Sequence, residues 1–473
     1  MAGSVQATPG FALQPSAEQV PLATNYITNF DFLNQYLPDT YEKEFERYGN
    51  RTIASFLRLV GAEMPSNSDL IKWAEQGRLH TKYINCASGA NAAADTATIT
   101  VNDVLVPGTG SIAVRVGQTV VISDNAGSGE NKGIVTAVNT GAGTFDVAYY
   151  EAAGQVGGAG LTRTVFIYGS EFKKGTSGMT GSLEADDVIF DNSPIIIKDK
   201  YAVSGSDMAQ IGWIEITTEN GASGYLWYLK SEHETRLRFD DYLETAMIEA
   251  VPAEVGSGAI AATGDVGNKG SEGIFYVVEN RGNVWAGGNP AALADFDAII
   301  SRLDKQGSIE ENVIFVDREF SFDIDDMLAA QNSYGAGGTS YGLFDNDKDM
   351  ALNLGFTGFR RGYDFYKSDW KYLNDPTMRG GLPTGANSGR INGLLVPAGS
   401  TTVYDQILGK NAKRPFLHVR YRASETEDRR YKTWITGSAG GAATSSLDAM
   451  EVHFLSERAV CTLGANNFFL FQE

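Results

Sequence analysis

The sequence predicts an α+β fold in which helices pack on sheets. Residues 95–180 alternate short strand-like segments with glycine turns, as in "VGQTVVIS" and "GTFDVAYY". Residues 226–251 instead repeat apolar side chains at helical spacing over a long stretch. From residue 289 onward, helix-like segments alternate with strands such as "NVIFVD", and the last 60 or so residues are strand-like. Both kinds of element are therefore expected in one chain.

The first part of the chain, residues 1–78, is predicted to be an arm that packs against something else. After the first twenty or so residues, which should be extended or mobile, short helices are predicted that are separated by Pro38, Gly49, Pro65 and Gly77, with Ser68 as N-cap of the helix "DLIKWAEQ". Its aromatic side chains come before the domains of this sequence that could bury them locally. The aromatic residues expected to make its contacts are Tyr26, Phe30, Phe32, Tyr36 and Tyr41.

Residues 95–180 are predicted to form a small β-rich domain, either a barrel or a sandwich, because strands of five or six residues are not stable as one hairpin. The segment "NAGSGENKG" within them lacks the lysine placement of a phosphate-binding loop. Hairpin turns therefore explain these glycines better. Residues 181–225 then predict long strands around a Gly-Ser turn.

Residues 226–251 predict one long helix of roughly 37 Å at about 1.5 Å per residue. One apolar stripe contains Phe239, Leu243, Met247 and Val251, and a neighbouring stripe contains Tyr242, Ala246 and Ala250. Two charged pairs are spaced four residues apart in the favourable order. These pairs are Glu232 with Arg236 and Glu234 with Arg238.

The same helix begins with His233-Glu234, the first half of a zinc-protease motif. The second histidine of H-E-x-x-H would fall at position 237, which is Leu237. A structural helix is the better interpretation of this stretch.

After Pro252, residues 252–288 form a glycine-rich connection, and residues 289–414 predict helices and strands of a second α+β region. Asn289 is predicted to cap a helix in which Pro290 takes the first position, and Gly307 should end it. A second helix is expected near "DIDDMLAAQ", with Asp323, Asp325 and Asp326 in its first turn. Residues 415–473 predict a series of strands, so this part of the chain is expected to end inside a sheet.

Charge and cysteine content narrow the function classes. The formal net charge is −20 and the pI is about 4.7, which opposes general binding to phosphate backbones. The stretch "GFRRGYDFYKSDWKY" is interrupted by aspartates and predicts an exposed strand of mixed charge. Two cysteines do not make a disulfide framework, and neither a signal peptide nor a membrane span is evident. These features predict a protein made and used in a cytoplasm.

No motif predicts a catalytic, cofactor or metal site. The four histidines are far apart in sequence, and Cys461 has apolar neighbours typical of a buried residue. Asp345, Asp347 and Asp349 match the start of a calcium loop, but Met350 replaces its glycine and Phe356 its closing glutamate. A weak ion site near Asp345 stays open, with a solvated turn as the default. Such a chain is typical of an assembly subunit.

The order of these parts and several phrases resemble the major capsid proteins of tailed double-stranded DNA bacteriophages, with the crAss-like phages as the closest likeness. The resemblance spans nearly the whole chain. The phrases that carry it are "NQYLPDTYEKEFERYGNRTIASFLRLVGAEMP", "WAEQGRLH", "SGSDMAQIGWIEITTENG", "GYLWYLKSEHETRLRFDDYLETAMIEA" and "LSERAVCTLGANNFFLFQE".

The resemblance implies the Hong Kong ninety-seven type fold, with an N-terminal arm, an extended loop, a spine helix, a peripheral domain and an axial domain. The implied parts, in chain order, are the arm at 1–78, extended-loop and peripheral strands at 181–225, the spine helix at 226–251, a peripheral connection at 252–288, the axial domain at 289–414 and strands returning to the peripheral domain at 415–473. Residues 95–180 depart from the minimal plan as an inserted domain.

The resemblance also implies a function. Copies of the chain would form hexamers and pentamers of an icosahedral head around double-stranded DNA, without sequence-specific DNA binding and without a membrane. Portal and scaffolding or other head proteins are the implied partners, and assembly would take place in the cytoplasm of a bacterial host. Two other classes stay open: a surface-attachment or glycan-binding protein, and a hydrolase with two carboxylates facing each other across a cleft.

Overall fold

The computed structural model is α+β and separates into two compact units. The described residues up to Lys72 and from Asp191 onward form one unit, and Trp73–Phe190 form the other. Below, these are called the main unit and the barrel unit. The structure describes residues 62–77, 82–89, 95–102, 112–125, 129–151, 162–181, 187–209, 216–217, 223–224, 227–259, 268–332, 357–382, 389–405, 410–439, 441 and 444–473. Strands and helices are numbered in chain order.

The described chain begins with two strands, β1 at Ala62–Ser66 and β2 at Ile71–Gln76. The prediction of a helix capped by Ser68 is therefore wrong. The Ser68 hydroxyl donates to the Leu70 carbonyl at 2.8 Å, within a turn, and exposure alternates along β2 as it does in a strand. A pairing partner distant in sequence, β9 at Asp187–Asn192, overrides the local helical tendency.

The barrel unit contains six strands that close in the order β3-β4-β7-β6-β5-β8. Of the barrel and sandwich that the sequence left open, the structure therefore shows a barrel. It includes β3, which precedes residue 95, so the unit is wider than 95–180. The "NAGSGENKG" segment joins the antiparallel strands β5 and β6, as a hairpin connection should. The bounds are β3 Lys82–Ser88, β4 Thr96–Val101, β5 Gln118–Asp124, β6 Glu130–Asn139, β7 Thr144–Tyr149 and β8 Thr162–Ser170.

Inward-facing apolar side chains fill the barrel, among them Ile99, Val120, Phe145 and Val165, each at most 1% exposed. Gly133 on β6 is needed because a Cβ there would lie 2.4 Å from a Val147 methyl carbon. The barrel thus has its own core.

The main unit contains a five-stranded sheet assembled from distant segments. Its order is β1-β20-β22-β10, with β21 also paired to β22. The 14-residue β22 therefore pairs with three other strands. It pairs with β10 over residues 449–458, with β21 over residues 450–455 and with β20 over residues 458–462. The further bounds are β10 Ile195–Ser204, β20 Leu417–Arg422, β21 Lys432–Gly437 and β22 Ala449–Thr462.

After β10, the described residues include the helices α1, α2, α3 and α4 and two very short strands. The single turn α1 takes the place where the sequence predicted a Gly-Ser turn. The long helix α2 lies within the predicted span 226–251. The bounds are α1 Gly205–Met208, β11 Ile216–Thr217, β12 Ser223–Gly224, α2 Trp227–Glu249, α3 Ile274–Arg281 and α4 Leu293–Gln306.

The main unit also contains a mixed six-stranded sheet, in the order β13-β23-β17-β14-β16-β15, and a separate antiparallel pair, β18 with β19. The exposed mixed-charge strand predicted for "GFRRGYDFYKSDWKY" is the β15–β16 pair, in which Arg360 is exposed but Phe365 is buried. The bounds are β13 Asn283–Trp285, β14 Glu311–Val316, α5 Arg318–Asn332, β15 Gly358–Arg361, β16 Tyr363–Asp369, α6 Lys371–Asn374, β17 Ile391–Pro397, β18 Ser400–Asp405, β19 Lys410–Pro415 and β23 Phe469–Gln472.

Both faces of this sheet are covered, which explains why every residue of β17 is buried. Leu395 packs with Phe296 and Phe320 of α4 and α5 on one face, whereas Leu394 packs with Ile274 of α3 on the other. The final strand β23 lies in this sheet, between β13 and β17.

Three details of the helices near residue 289 differ from prediction. Ala292, not Asn289, is the N-cap of α4, and the Asp295 carboxylate accepts from the Ala292 amide at 3.1 Å. Asn289 instead donates to Asp323 at 2.8 Å. Asp323, Asp325 and Asp326 lie past the first turn of α5, which begins at Arg318. The predicted helix end at Gly307 is confirmed: this residue adopts φ 70° in the left-handed region.

Candidate assembly surfaces

One face of α2 packs on the five-stranded sheet. Phe239 is fully buried, and its ring lies 5.3 Å from the Tyr431 ring and 5.7 Å from the Phe454 ring, centroid to centroid. Leu243 joins the same cluster, which also contains Val203, Met450 and Val452 of the sheet. Met247, one turn further along, is buried in the core that the helix shares with α3.

The apolar stripe does not run as far as predicted, because α2 ends at Glu249 and Val251 is 57% exposed. Of the neighbouring stripe, Tyr242 is 46% exposed. The sheet therefore selects the stripe through Phe239, Leu243 and Met247.

Charged side chains fix α2 at several points. Arg236 lies 3.7 Å from Glu232, as the four-residue spacing predicted. Arg238 instead reaches the sheet, where it donates to both carboxylate oxygens of Asp199 at 2.9 and 3.1 Å. Such a two-point contact between a guanidinium and a carboxylate fixes orientation as well as charge.

Glu234, the predicted partner of Arg238, lies 3.8 Å from Lys230 on the preceding turn. Arg238 therefore joins the helix to β10, whereas the Lys230–Glu234 and Glu232–Arg236 pairs lie within the helix.

The last residue of α2, Glu249, is hydrogen-bonded to the segment that follows β16 of the six-stranded sheet. Arg379 donates to both carboxylate oxygens of Glu249 at 2.7 and 2.5 Å, and the Tyr372 hydroxyl donates to Glu249 at 2.5 Å. Burial and this hydrogen bond both raise the pKa of Tyr372. The guanidinium also lies 5.0 Å from the centre of the Phe275 ring. This contact links α2, α3 and the segment around α6.

The opposite face of the five-stranded sheet is basic, which the sequence analysis missed. Along β10 and β22, side chains alternate between α2 and this other face. Because Met450, Val452 and Phe454 face α2, Glu451 and His453 face away. We call this surface the basic sheet face. It consists of Ile196, Lys198, Lys200, Arg420, Arg422, Arg429, Lys432, Trp434 and His453, with Glu451 and Glu457 between them.

Trp434 and His453 form the centre of the open part of this face. Their rings stack with centroids 5.1 Å apart and planes 14° apart, and the Lys432 ammonium lies 6.0 Å from the centre of the Trp434 ring. Lys200 is paired in register with His453 and lies 3.1 Å from Glu451. Ile196 is 53% exposed and Trp434 37% exposed, so this aromatic and basic surface is accessible.

The composition of residues 410–432 indicates this face. Residues 410–432 contain eight Lys or Arg against three Asp or Glu, in a chain whose formal net charge is −20. Strand alternation then places several of them on one side of a sheet.

The structure places the residues whose sequence patterns partly match a zinc, thiolate or calcium site. His233 lies half-buried in α2, and within the part of the chain that the structure describes, no group of three or more His, Cys, Asp or Glu could hold a metal ion. Cys461 is 2% exposed, and burial raises the pKa of its thiol to about 12, so it is not an activated thiolate. The calcium-loop segment at Asp345 and the five arm aromatics lie outside the described residues.

An apolar cavity of about 500 Å³ lies between β14, β17 and the start of β20. Its lining includes Val313, Phe315, Val396 and Leu417 and no carboxylate, so this cavity does not supply the acid pair that a glycoside hydrolase needs. No described helix of this chain has the length and apolar character to cross a membrane.

No protein-family model and no curated protein matches the sequence. Among solved structures, a chain of Microbacterium phage Oxtober96 is similar at 11% identity and a TM-score of 0.37, with 96% of this chain and 99% of that chain covered. A chain from the capsid of a native GTA particle is similar at 8% identity and a TM-score of 0.38, covering 93% and 95%. The holo-SrpI encapsulin complex from Synechococcus elongatus PCC 7942 contains a chain similar at 10% identity and a TM-score of 0.32, covering 61% and 77%.

Proposed function

We propose that this chain is a non-enzymatic structural protein, the major capsid protein of a tailed bacteriophage. Copies of it assemble into the hexamers and pentamers of an icosahedral head that encloses double-stranded DNA. The protein then belongs to the virion and assembles in the cytoplasm of a bacterial host. Portal and scaffolding or other head proteins are its expected partners. Several sequence phrases resemble those of crAss-like phages, and on this ground we propose that the phage belongs to that group.

The observation that carries the proposal is the arrangement around α2. A 23-residue helix lies along a sheet whose strands come from residues 62–66, 195–204 and 417–462, and its last residue is tied to a second, six-stranded sheet region. This order of strands, long helix, α+β region and returning strands is the order that the resemblance implies. One chain thus has several separate surfaces that neighbouring copies can contact: the edge strand β10 of the five-stranded sheet, the helix α2 and the N-terminal arm.

The direct test is assembly of the purified full-length chain. Sedimentation and negative-stain microscopy should find closed shells of uniform diameter under conditions that screen self-repulsion of a chain with net charge −20. A chain that sediments as a folded monomer over the whole range of salt and concentration, with and without duplex DNA, would refute the proposal.

A second test concerns the arm. Removing residues 1–41 should leave circular dichroism and melting unchanged and reduce the yield of shells, because each aromatic buried on a neighbour contributes on the order of 1.5 to 3 kcal/mol before ordering costs. Equal shell yields would refute the assembly role of the arm. Unfolding of the truncated chain would show that these aromatics belong to its own core.

The barrel unit supports a second candidate function, attachment to a glycan surface. Tyr150, Phe166 and Tyr168 are each 44 to 50% exposed, and the Tyr150 hydroxyl donates to Glu171 at 2.5 Å. Aromatic rings beside a carboxylate are suited to sugar rings, which present both apolar faces and hydroxyls. Retention of the full chain on immobilised polysaccharide, lost in Tyr150→Ala/Tyr168→Ala, would support this candidate.

A further inference from the structure

The basic sheet face stands out against the charge of the whole chain. Six cations, Lys198, Lys200, Arg420, Arg422, Arg429 and Lys432, meet four carboxylates, Asp69, Glu427, Glu451 and Glu457, on or beside this face. The surface is therefore net positive, whereas the chain carries a formal −20. A positive surface on an acidic chain selects acidic partners and orients their approach.

One end of this face is covered and the other is open. Near the end of β22, His418, Ala459 and Cys461 are at most 3% exposed. At the other end, the Lys200 side chain is 52% exposed and Trp434 is 37% exposed. The docking surface is therefore the half around the Trp434–His453 stack. In this half, three lysines, Lys198, Lys200 and Lys432, meet two carboxylates, Glu427 and Glu451.

The chain itself contains a segment of complementary charge and character. Residues 18–46, which precede the described part, contain six Asp or Glu against one Lys. The same stretch holds six aromatic residues, which suit the exposed Trp434 ring and Ile196 side chain. Within these residues, "YEKEFE" places Glu42, Glu44 and Glu46 at alternate positions around Phe45.

The direction of β1 favours a segment from another copy. β1 runs parallel to β20, with Ala62 beside His418 and Ser66 beside Arg422. The described chain thus enters the sheet at the Cys461 end and runs toward the open half. Cys461 and His453 are eight residues apart on β22, about 27 Å at about 3.4 Å per residue. A copy's own residues 18–46 would have to reverse direction through residues 47–61 to return over that distance, whereas the same segment of a neighbouring copy would need no such reversal.

We propose that the half of the basic sheet face around Trp434, His453, Lys198 and Lys200 binds the acidic aromatic segment 18–46 of a second copy of this chain. The inference rests on the proposed assembly function and names the surface that receives the arm. Glu42, Glu44 and Glu46 meet the lysines, and the arm aromatics cover Trp434 and Ile196.

Charge exchange between the two surfaces tests this proposal in the full-length chain. Lys198→Glu/Lys200→Glu and Glu42→Lys/Glu44→Lys should each raise the concentration for half-assembly about tenfold, because two attractive pairs become repulsive. The combined variant should return to within about threefold of the parent. Lys371→Glu, an exposed lysine on α6, is the matched control and should change assembly less than about twofold. Circular dichroism confirms that each variant is folded.

A second measurement reads the contact without assembly. Chains with Glu44→Cys and differently tagged chains with Lys198→Cys are mixed and treated with a short bismaleimide; the native Cys86 and Cys461 are buried. A cross-link between the two tags is expected. A double-cysteine chain that cross-links only within itself would overturn the proposal, because the arm would then bind its own sheet.

The other outcomes of these experiments distinguish failure of the docking proposal from failure of the proposed capsid function. If the parent assembles but Lys198→Glu/Lys200→Glu assembles equally well, the docking surface is wrong and the capsid function stands. If the same variant loses affinity for duplex DNA and assembles normally, the face binds nucleic acid and the proposal is overturned. If the parent forms no particles, the proposed function fails, and the cross-link between tagged copies alone decides the docking.

Discussion

The replacement Phe239→Ala tests whether α2 is held by its contact with the five-stranded sheet. Phe239 is fully buried and contacts two aromatic rings, those of Tyr431 and Phe454. Burying about 150 Å² of aromatic surface contributes about 4 kcal/mol at about 25 cal/mol per Å². Measured losses for buried Phe→Ala changes are about 3 to 5 kcal/mol. We expect a loss of that size in the free energy of unfolding.

The assay is urea unfolding of the unassembled chain, followed by circular dichroism at 222 nm. Tyr242→Ala is the matched control on the same helix, since Tyr242 is 46% exposed and should cost less than about 0.5 kcal/mol. Phe239→Leu keeps most of the volume and should cost less than about 1.5 kcal/mol. A loss below about 1 kcal/mol for Phe239→Ala, or an equal loss for Tyr242→Ala, would refute this account of α2.

Three further predictions follow from the structure and sequence. Residues 73–190 expressed alone should melt cooperatively, because the barrel has its own core; a disordered amide spectrum would contradict this. Burial lowers the pKa of His418 from 6.5 to about 4, so the unfolded chain takes up a proton first as pH falls. The free energy of unfolding should therefore fall as the pH drops from about 6.5 to about 4, by roughly 2 to 3 kcal/mol more than that of His418→Gln. Parallel dependences of the two unfolding free energies on pH would contradict this. Elemental analysis should find no tightly bound stoichiometric zinc, because His233 lacks its partner histidine at Leu237; one zinc per chain would contradict this.

Local patterns predicted the elements whose signal repeats over many residues. The stripe through Phe239, Leu243 and Met247 predicted α2, and Gly307 predicted the end of α4, because helical periodicity and a left-handed cap are properties of the local chain. The strands of residues 95–180 were predicted for the same reason, since alternation has a period of two residues.

The predictions that were wrong concern residues whose structure depends on partners distant in the sequence. Residues 69–76 read as a helix, but pairing with β9, more than one hundred residues later, makes β2 a strand. Asn289 reads as a helix cap, but Asp323 and Asn392 take its side-chain hydrogen bonds. The basic sheet face likewise depends on which residues of β10, β20, β21 and β22 share a side, which follows from strand register and not from local composition.

The end of α2 shows why such distant contacts also decide how the main unit holds together. A carboxylate at a helix C-terminus is repelled by the negative end of the helix dipole, so Glu249 alone would weaken the last turn. Arg379, 130 residues away, reverses this by binding both carboxylate oxygens, and Tyr372 adds a hydroxyl donor. The helix therefore ends in a contact that also fixes the segment after β16. Arg238 also binds both carboxylate oxygens of Asp199 on β10, through two of its nitrogen atoms. Contacts of α2 therefore join it to the five-stranded sheet near its middle and to the segment after β16 at its end.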